Sequence, residues 1–453
     1  MLARRRIEKL KEERDVYGLI VLLWHRRQTV RREAAVALGY LDDRRAVPSL
    51  IGALSDEKPS VRRAAAQSLG RLKGPDAAEP LITALEDRSK QVRLAAIKAL
   101  GALADPRSTR PLIAVLRNED EDERVRWAAA EALGEIGDPR AFEPLFSLLG
   151  NGSLRRAAKR SLTRVLTAET VPALVDALHD KQPEVRLFAK GALVGWWGSD
   201  AIEPLALALQ SQDSEVRAVA AIALSHTRDV NATTPLIGAL QDPDSKVRSA
   251  AARGLSVVLE LVSDNGAPVA EQVSGVQALI AHLDDKAPSV RYWSALALGR
   301  AMATEAVPSL IHALGDRNAS VRAAAAAALG DLGSEDSAVA LIAALQADKD
   351  NTVCRNAAAA LGQIGSWEAT QPLIAALGDR DAGVRAVAAS ALGSIGNPEA
   401  TRPLIAALRD PDRHVRDAAE DALTRMTDSE VSAAVVEALK ERSLPWWRRR
   451  RDR

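Results

Sequence analysis

Few side chains in this sequence could make or break a bond. The single cysteine, Cys354, excludes an internal disulfide framework and a cysteine-rich zinc site. The six histidines, His25, His179, His226, His282, His312 and His414, are scattered along the chain. His282 and His312 occupy neighbouring segments and could approach one another, but no carboxylate is placed to complete a metal site with them. The acidic run Glu119–Glu123 lacks the alternation and the glycine of a calcium loop, so it reads as a solvated turn. There is no glycine-rich phosphate loop, nucleophile elbow or zinc spacing. The expectation is a chain without catalytic residues, cofactor or metal. The chemistry left to it is binding, through arginine and tryptophan.

What positions those residues is a repeat. The phrase Val-Arg-x-Ala-Ala-x-x-Ala-Leu-Gly recurs with its first residue at Val30, Val61, Val92, Val125, Leu154, Val185, Val216, Val247, Val290, Val321, Val353, Val384 and Val415. Most steps are 31 residues; the largest, from Val247 to Val290, is 43. A second phrase, Pro-Leu-Ile-x-Ala-Leu, precedes it, with clean copies at Pro80–Leu85, Pro235–Leu240, Pro372–Leu377 and Pro403–Leu408. Both read as helices. Val61, Ala64, Ala65, Ser68, Leu69 and Leu72 follow the i, i+3, i+4, i+7 spacing of an amphipathic helix, and period-two alternation is missing.

Turn chemistry agrees. Three residues before the Val stands a good N-cap in nine of the thirteen units: Ser89, Asp122, Asn151, Asp213, Asp244, Asn318, Asp350, Asp381 or Asp412. Where the cap is poor, Pro59, Pro183 or Pro288 follows, which suits the first helical residue. The closing glycine, as in Gly70 or Gly330, fits helix termination or close packing. Asp105-Pro106 and Asp138-Pro139 look like the start of the first helix, with a 3₁₀ turn or a kink to accommodate Pro111 and Pro144. One such hairpin cannot bury its own apolar stripe, so each must stack on its neighbours.

These two phrases resemble the short HEAT-like repeats named for phycobilin lyase subunits, and the resemblance covers about residues 16–440. It implies an all-α fold: an α-solenoid, a right-handed superhelix of about thirteen helix-turn-helix repeats, closed by a C-terminal capping helix. It also implies a protein-binding module, with the second helix of each repeat lining the concave side. The His-Glu pair of iron-dependent hydroxylases built from HEAT-like repeats is missing. An accessory or chaperone of the phycobilin-lyase type is the alternative that the resemblance suggests.

The expected organisation is a basic N-terminal segment (1–15), repeats one to eight (16–257), an insertion or loop (258–274), repeats nine to thirteen (275–427), a capping helix (428–440) and a basic Trp/Arg tail (441–453). Lys+Arg and Asp+Glu number 61 and 60, which argues against a general nucleic-acid binder. The charge is uneven: 17 basic against 9 acidic residues in 1–73, and 7 against 2 in 440–453, leave an acidic body between basic ends. The apolar run Val16–Trp24 is too short to span a bilayer and is not placed as a secretory signal, so a cytoplasmic protein is expected.

Two arginine-bearing positions stand out. The residue after the Val is Arg in twelve units, from Arg31 to Arg416, and Cys354 replaces it in the other. An Asp stands five residues before the Val in ten units, for example Asp56, Asp87, Asp180, Asp316 and Asp410. Together they suggest a ladder of exposed contacts, each worth about 0–1 kcal/mol. Positions two, six and ten after the Val form another stripe, which on the resemblance is the groove. It holds Trp127 with Glu131 and Glu135, then Arg156, Arg160 and Arg164, then Tyr292 and Arg300, with Phe188, Trp196, Trp197 and Trp293 nearby in sequence. Arg and Trp dominate protein interfaces. Trp127, Arg156, Arg160, Arg164, Tyr292 and Arg300 are therefore the expected contacts for a protein or peptide partner; the alternative reading of the tryptophans is as filler of gaps between alanines. The tail, Trp446-Trp447-Arg448 and the arginines after it, suggests weak contact with a membrane surface or nucleic acid, or a disordered solubilising end.

Overall fold

A computed structural model describes residues 2–150, 152–195, 198–265 and 269–426. Among them every regular element is a helix, and none is long and apolar enough to cross a membrane. The chain divides into two compact units, Met1–Leu193 and Val194–Arg453.

The first unit opens with α1 (Leu2–Glu12), so the basic N-terminal segment is helical, and its Ile7 is buried. Hairpins follow: α2 (Val16–Leu22) with α3 (Gln28–Leu41), α4 (Val47–Ala53) with α5 (Pro59–Leu72), and α6 (Ala78–Thr83) with α7 (Lys90–Leu103). Next come α8 (Thr109–Arg117) with α9 (Glu123–Ile136), α10 (Phe142–Phe146) with α11 (Arg155–Val165), and α12 (Val171–Asp176) with α13 (Pro183–Leu193). The second unit holds α14 (Ile202–Ala208) with α15 (Ser214–His226), α16 (Thr233–Ala239) with α17 (Ser245–Asn265), and α18 (Val269–Ala281) with α19 (Pro288–Arg300). It continues with α20 (Val307–Ala313) and α21 (Ala319–Leu332), α22 (Ala338–Ala347) and α23 (Asn351–Ile364), α24 (Thr370–Ala376) and α25 (Ala382–Ile395), and α26 (Thr401–Ala407) and α27 (Arg413–Arg425).

Local chemistry explains the boundaries. A 3₁₀ turn, Pro106–Ser108, leads into α8, and Asp105 accepts the Arg107 N–H at 2.9 Å. Pro111 is then the third residue of α8, where a backbone N–H would have no helical partner. The second helices are capped as expected at Asp122, Asp213, Asp244, Asn318, Asp350, Asp381 and Asp412, whose side chains accept N–H groups of the first turn. Ser89 precedes its helix without such a bond. Asn151 lies outside the described residues.

The closing glycine does not terminate the helix. It lies inside, and the chain runs two residues further, to a left-handed cap such as Gly365 or Gly396. Its role is approach: a Cβ on Gly70 would sit 2.7 Å from Ala99 Cα, and one on Gly393 2.5 Å from Ala422 Cα. Successive second helices therefore touch backbone to backbone, α5 on α7 and α25 on α27. The core of each hairpin is the apolar frame of the two phrases: in α5, Val61, Ala65 and Leu69 are fully buried, and Leu50 and Leu81 of flanking first helices join them. Burying one leucine side chain contributes about 1.5–3 kcal/mol.

Two expectations change. The 258–274 insertion is mostly helical rather than a loop: Leu255, Val258 and Leu259 are buried and continue the stripe of α17, so the extra residues lengthen α17 and α18. The border between compact units also falls elsewhere, at Leu193–Val194. The expected capping helix (428–440) and tail, with Trp446, Trp447 and Arg448, lie outside the described residues.

Candidate protein-interaction surface

The repeated Arg and Asp form a joint between hairpins. Arg291 Nε and Nη2 donate to the two carboxylate oxygens of Asp316 in the next hairpin, at 2.6 and 2.7 Å, while Nη1 donates to the Asp285 carbonyl of its own turn at 2.7 Å. Asp316 also accepts the Asn318 N–H at 2.7 Å. The same forward link of about 25 residues joins Arg31 to Asp56, Arg62 to Asp87, Arg217 to Asp242, Arg322 to Asp348 and Arg385 to Asp410; across the longer α17–α18 stretch Arg248 reaches Asp285. The pairs are not surface decoration: the Arg291 and Asp316 side chains are 13% and 11% exposed. Being two-pronged and shielded, they are costlier than exposed pairs to break by removing one partner.

Charge states follow. The Arg62 guanidinium holds Asp87 below the usual carboxylate range, and Asp242, Asp348 and Asp410 are lowered in the same way. Burial pushes Asp56, Asp285 and Asp316 up, but bonds from arginine and a backbone N–H outweigh it, and these three also lie low.

The joint is irregular in part of the first unit. Arg93 pairs with Glu121 instead of Asp120, because two extra residues shift the turn. Arg126 donates to the Leu116 carbonyl, since Leu149 stands where the next acid would be. Arg155 meets Glu184 at 3.2 Å. In the second unit, Cys354 replaces the arginine that would face Asp379; its thiol is buried and pushed up by burial and by Asp348.

One residue past the joint, the side chain turns outward. Arg31 is 8% exposed, whereas its neighbour Arg32 is half-exposed. The same doublet recurs as Arg62-Arg63 and Arg155-Arg156, all three in the first unit. The doublet distinguishes the structural arginine from the available one, and it was present in the sequence as a departure from a lone Arg.

The expected partner contacts divide between the units. In the first, Arg156, Arg160 and Arg164 are exposed along α11, beside half-buried Trp127 on the neighbouring α9. Arg160 Nη1 lies 3.2 Å from Glu131 Oε1. Among the described residues, Arg156 and Arg164 have no carboxylate within ion-pair distance. In the second, Tyr292 is half-buried edge-on to Trp293 at 5.2 Å, and Arg253 lies over the Trp293 ring. Arg300 is exposed, 3.8 Å from Glu260 Oε2. Phe188 packs edge-on against Phe146. Trp196 and Trp197 lie outside the described residues.

The histidine pair does not converge on a metal. His282 is buried with Nδ1 2.7 Å from the Ala278 carbonyl and Nε2 2.8 Å from the Leu240 carbonyl, so it fastens α18 to the preceding hairpin. Among the described residues, no cluster of three or more His, Cys, Asp and Glu side chains could hold a metal ion.

Stacked helix pairs with a shared core and joints between consecutive hairpins define an α-solenoid. The chain belongs to the HEAT-repeat family: the family's HEAT repeats match residues 18–89, 78–163, 171–256, 276–362 and 339–424. No curated protein sequence matches it. Among solved structures it is similar to importin β crystallised from polyethylene glycol, at 15% identity and TM-score 0.53, over 96% of this chain and 72% of that one. Yeast importin-β, Kap95p, gives 15% identity and TM-score 0.50, over 96% and 70%. Kap121p bound to Nup53p gives 16% and 0.53 over 92% of this chain, which spans 55% of the Kap121p chain. At such identities the likeness is one of fold.

Proposed function

We propose that the chain is a non-catalytic, cytoplasmic scaffold or adaptor that holds a protein or peptide along the exposed stripe of its second helices. Trp127, Arg156, Arg160 and Arg164 supply the contacts in the first unit, and Tyr292 and Arg300 in the second. The observation that carries this reading is the row of exposed arginines on α11 next to Trp127, in a chain where most framework arginines are tied to acids. Kap121p, of the same fold, is seen holding Nup53p. The test is affinity capture from native lysate with the wild-type chain and with Trp127→Ala/Arg160→Glu. The double variant loses the captured partner while keeping its helicity by circular dichroism; capture unchanged by it removes this surface.

The short repeat phrases favour a second reading, an accessory role of the phycobilin-lyase type. It predicts that a bilin added to the purified chain shifts its absorption spectrum. Association of the basic ends with nucleic acid or a membrane surface predicts instead an affinity that falls steeply with salt.

A further inference from the structure

We infer that the first unit carries a separate binding site for an acidic protein segment, in the groove between α1 and the exposed faces of α3 and α5. The inference rests on the reading of the chain as a scaffold and names the chemistry of one occupant.

The groove encloses about 360 Å³. α1 packs against α3, and Arg4, Ile7 and Lys11 on one wall face Arg32, Tyr40 and Arg63 on the other. Two acids share the lining: Glu8 bonds Lys11 at 3.1 Å, and Glu33 lies 3.4 Å from Arg32. Arg4 and Arg63 have no carboxylate within ion-pair distance among the described residues. At the mouth, the Arg71 guanidinium lies 4.4 Å from the centre of the Tyr40 ring, and Tyr40 is 64% exposed. On the next second helix, Lys98 is exposed on the same stripe.

Complementarity selects the occupant. Arg32 and Arg63 are the second members of the first two doublets; the joint takes Asp56 and Asp87 for Arg31 and Arg62, and Glu8 and Glu33 are the two acids set against Arg4, Lys11, Arg32 and Arg63 in the lining. What remains toward the groove is cationic, within a stretch carrying 17 basic against 9 acidic residues. Cations one helix layer apart, about 8–10 Å, match carboxylates spaced two or three residues along an extended peptide. The exposed Tyr40 face and half-buried Val36 give an apolar side chain a place between them.

The test uses the full chain and a fluorescein-labelled peptide, Asp-Glu-Asp-Leu-Trp-Glu-Asp-Glu, read by fluorescence anisotropy. Wild type binds it, salt weakens the binding, and Arg63→Gln/Arg71→Gln raises Kd at least tenfold. Arg156→Gln/Arg164→Gln on α11 changes Kd less than threefold. Replacing the peptide Trp with a photo-crosslinking benzoylphenylalanine places the adduct on α1, α3 or α5, a readout that does not depend on the variants' folding. No binding, a loss caused by the α11 pair instead, crosslinks elsewhere, or tighter binding of oligo(dT) than of the peptide would each overturn the site. A cellular partner that depends on Trp127 and Arg160 alone, with no peptide binding here, removes this inference and leaves the scaffold reading standing.

Discussion

The two units use the same hairpin for different ends. In the second, the joint is regular from Arg217 to Asp348, and the position after the joint arginine is Ala218, Ser249, Tyr292, Ala323, Arg355, Ala386 or Asp417. In the first, the joint is regular only near the start, and the same position holds Arg32, Arg63, Leu94, Trp127, Arg156 and Leu187. Regular mortar, with Ala or Ser at four of these seven positions, makes one unit the more uniform stack. Irregular mortar and large or cationic side chains make the other a surface with places that differ from one another.

The strongest way to break this comparison is to cut a joint in each unit. Asp316→Ala leaves the shielded Arg291 without its carboxylate and should cost on the order of 3 kcal/mol. Arg126→Ala, which removes only a bond to a carbonyl, should cost about 1 kcal/mol. Urea unfolding followed by circular dichroism compares them, and equal losses would mean that the regular joint confers no advantage. The close glycine contact, by contrast, is common to both units. Gly70→Val and Gly393→Val should each cost about 2–3 kcal/mol by overpacking, with similar shifts in Tm.

Acid sharpens the contrast. Asp242, Asp285, Asp316, Asp348 and Asp410 titrate below the usual range in the fold. Their contribution is therefore fully present above the unfolded value of about 3.9 and is lost as pH falls through the lower folded values. In the first unit Asp138, held by Arg140 and by the Thr109 hydroxyl, lies at about 2 and follows the same sign. The Tm should hold steady from pH 7 to 5 and drop below pH 4, and Asp316→Ala should flatten that drop. The smallest effect has the opposite sign. Cys354→Arg offers Asp379 the guanidinium that other repeats supply, and should raise stability by about 1 kcal/mol, seen as a Tm increase of a few degrees or less.

Much of this was legible beforehand because the repeat states its own rules. The 31-residue period, the caps at Asp350 or Asp412 and the apolar frame of Val61, Ala65 and Leu69 each report a local physical demand. The places misread needed knowledge of neighbours. Gly70 read equally as a terminator or a close contact, because what decides between them lies across the interface, in the Ala99 backbone. The 258–274 stretch looked like an insertion or loop because it breaks the 31-residue period, whereas the buried Leu255, Val258 and Leu259 carry the helix to Asn265. The Asp–Arg pairs looked exposed because the spacing of the two residue types says nothing of the shielding around them. The candidate contacts Arg156, Arg160 and Arg164 were visible as a stripe on one helix, whereas the groove under α1 combines three helices and had no signature along the chain.

The joint also has a direction. In the regular joints each arginine's salt link reaches forward to the following hairpin, so cleavage between two such repeats strands a cation on the upstream piece and an anion on the downstream one. Fragments cut there would thus carry opposite, complementary ends, and the polarity of a repeated salt link fixes which end of one piece can meet which end of another.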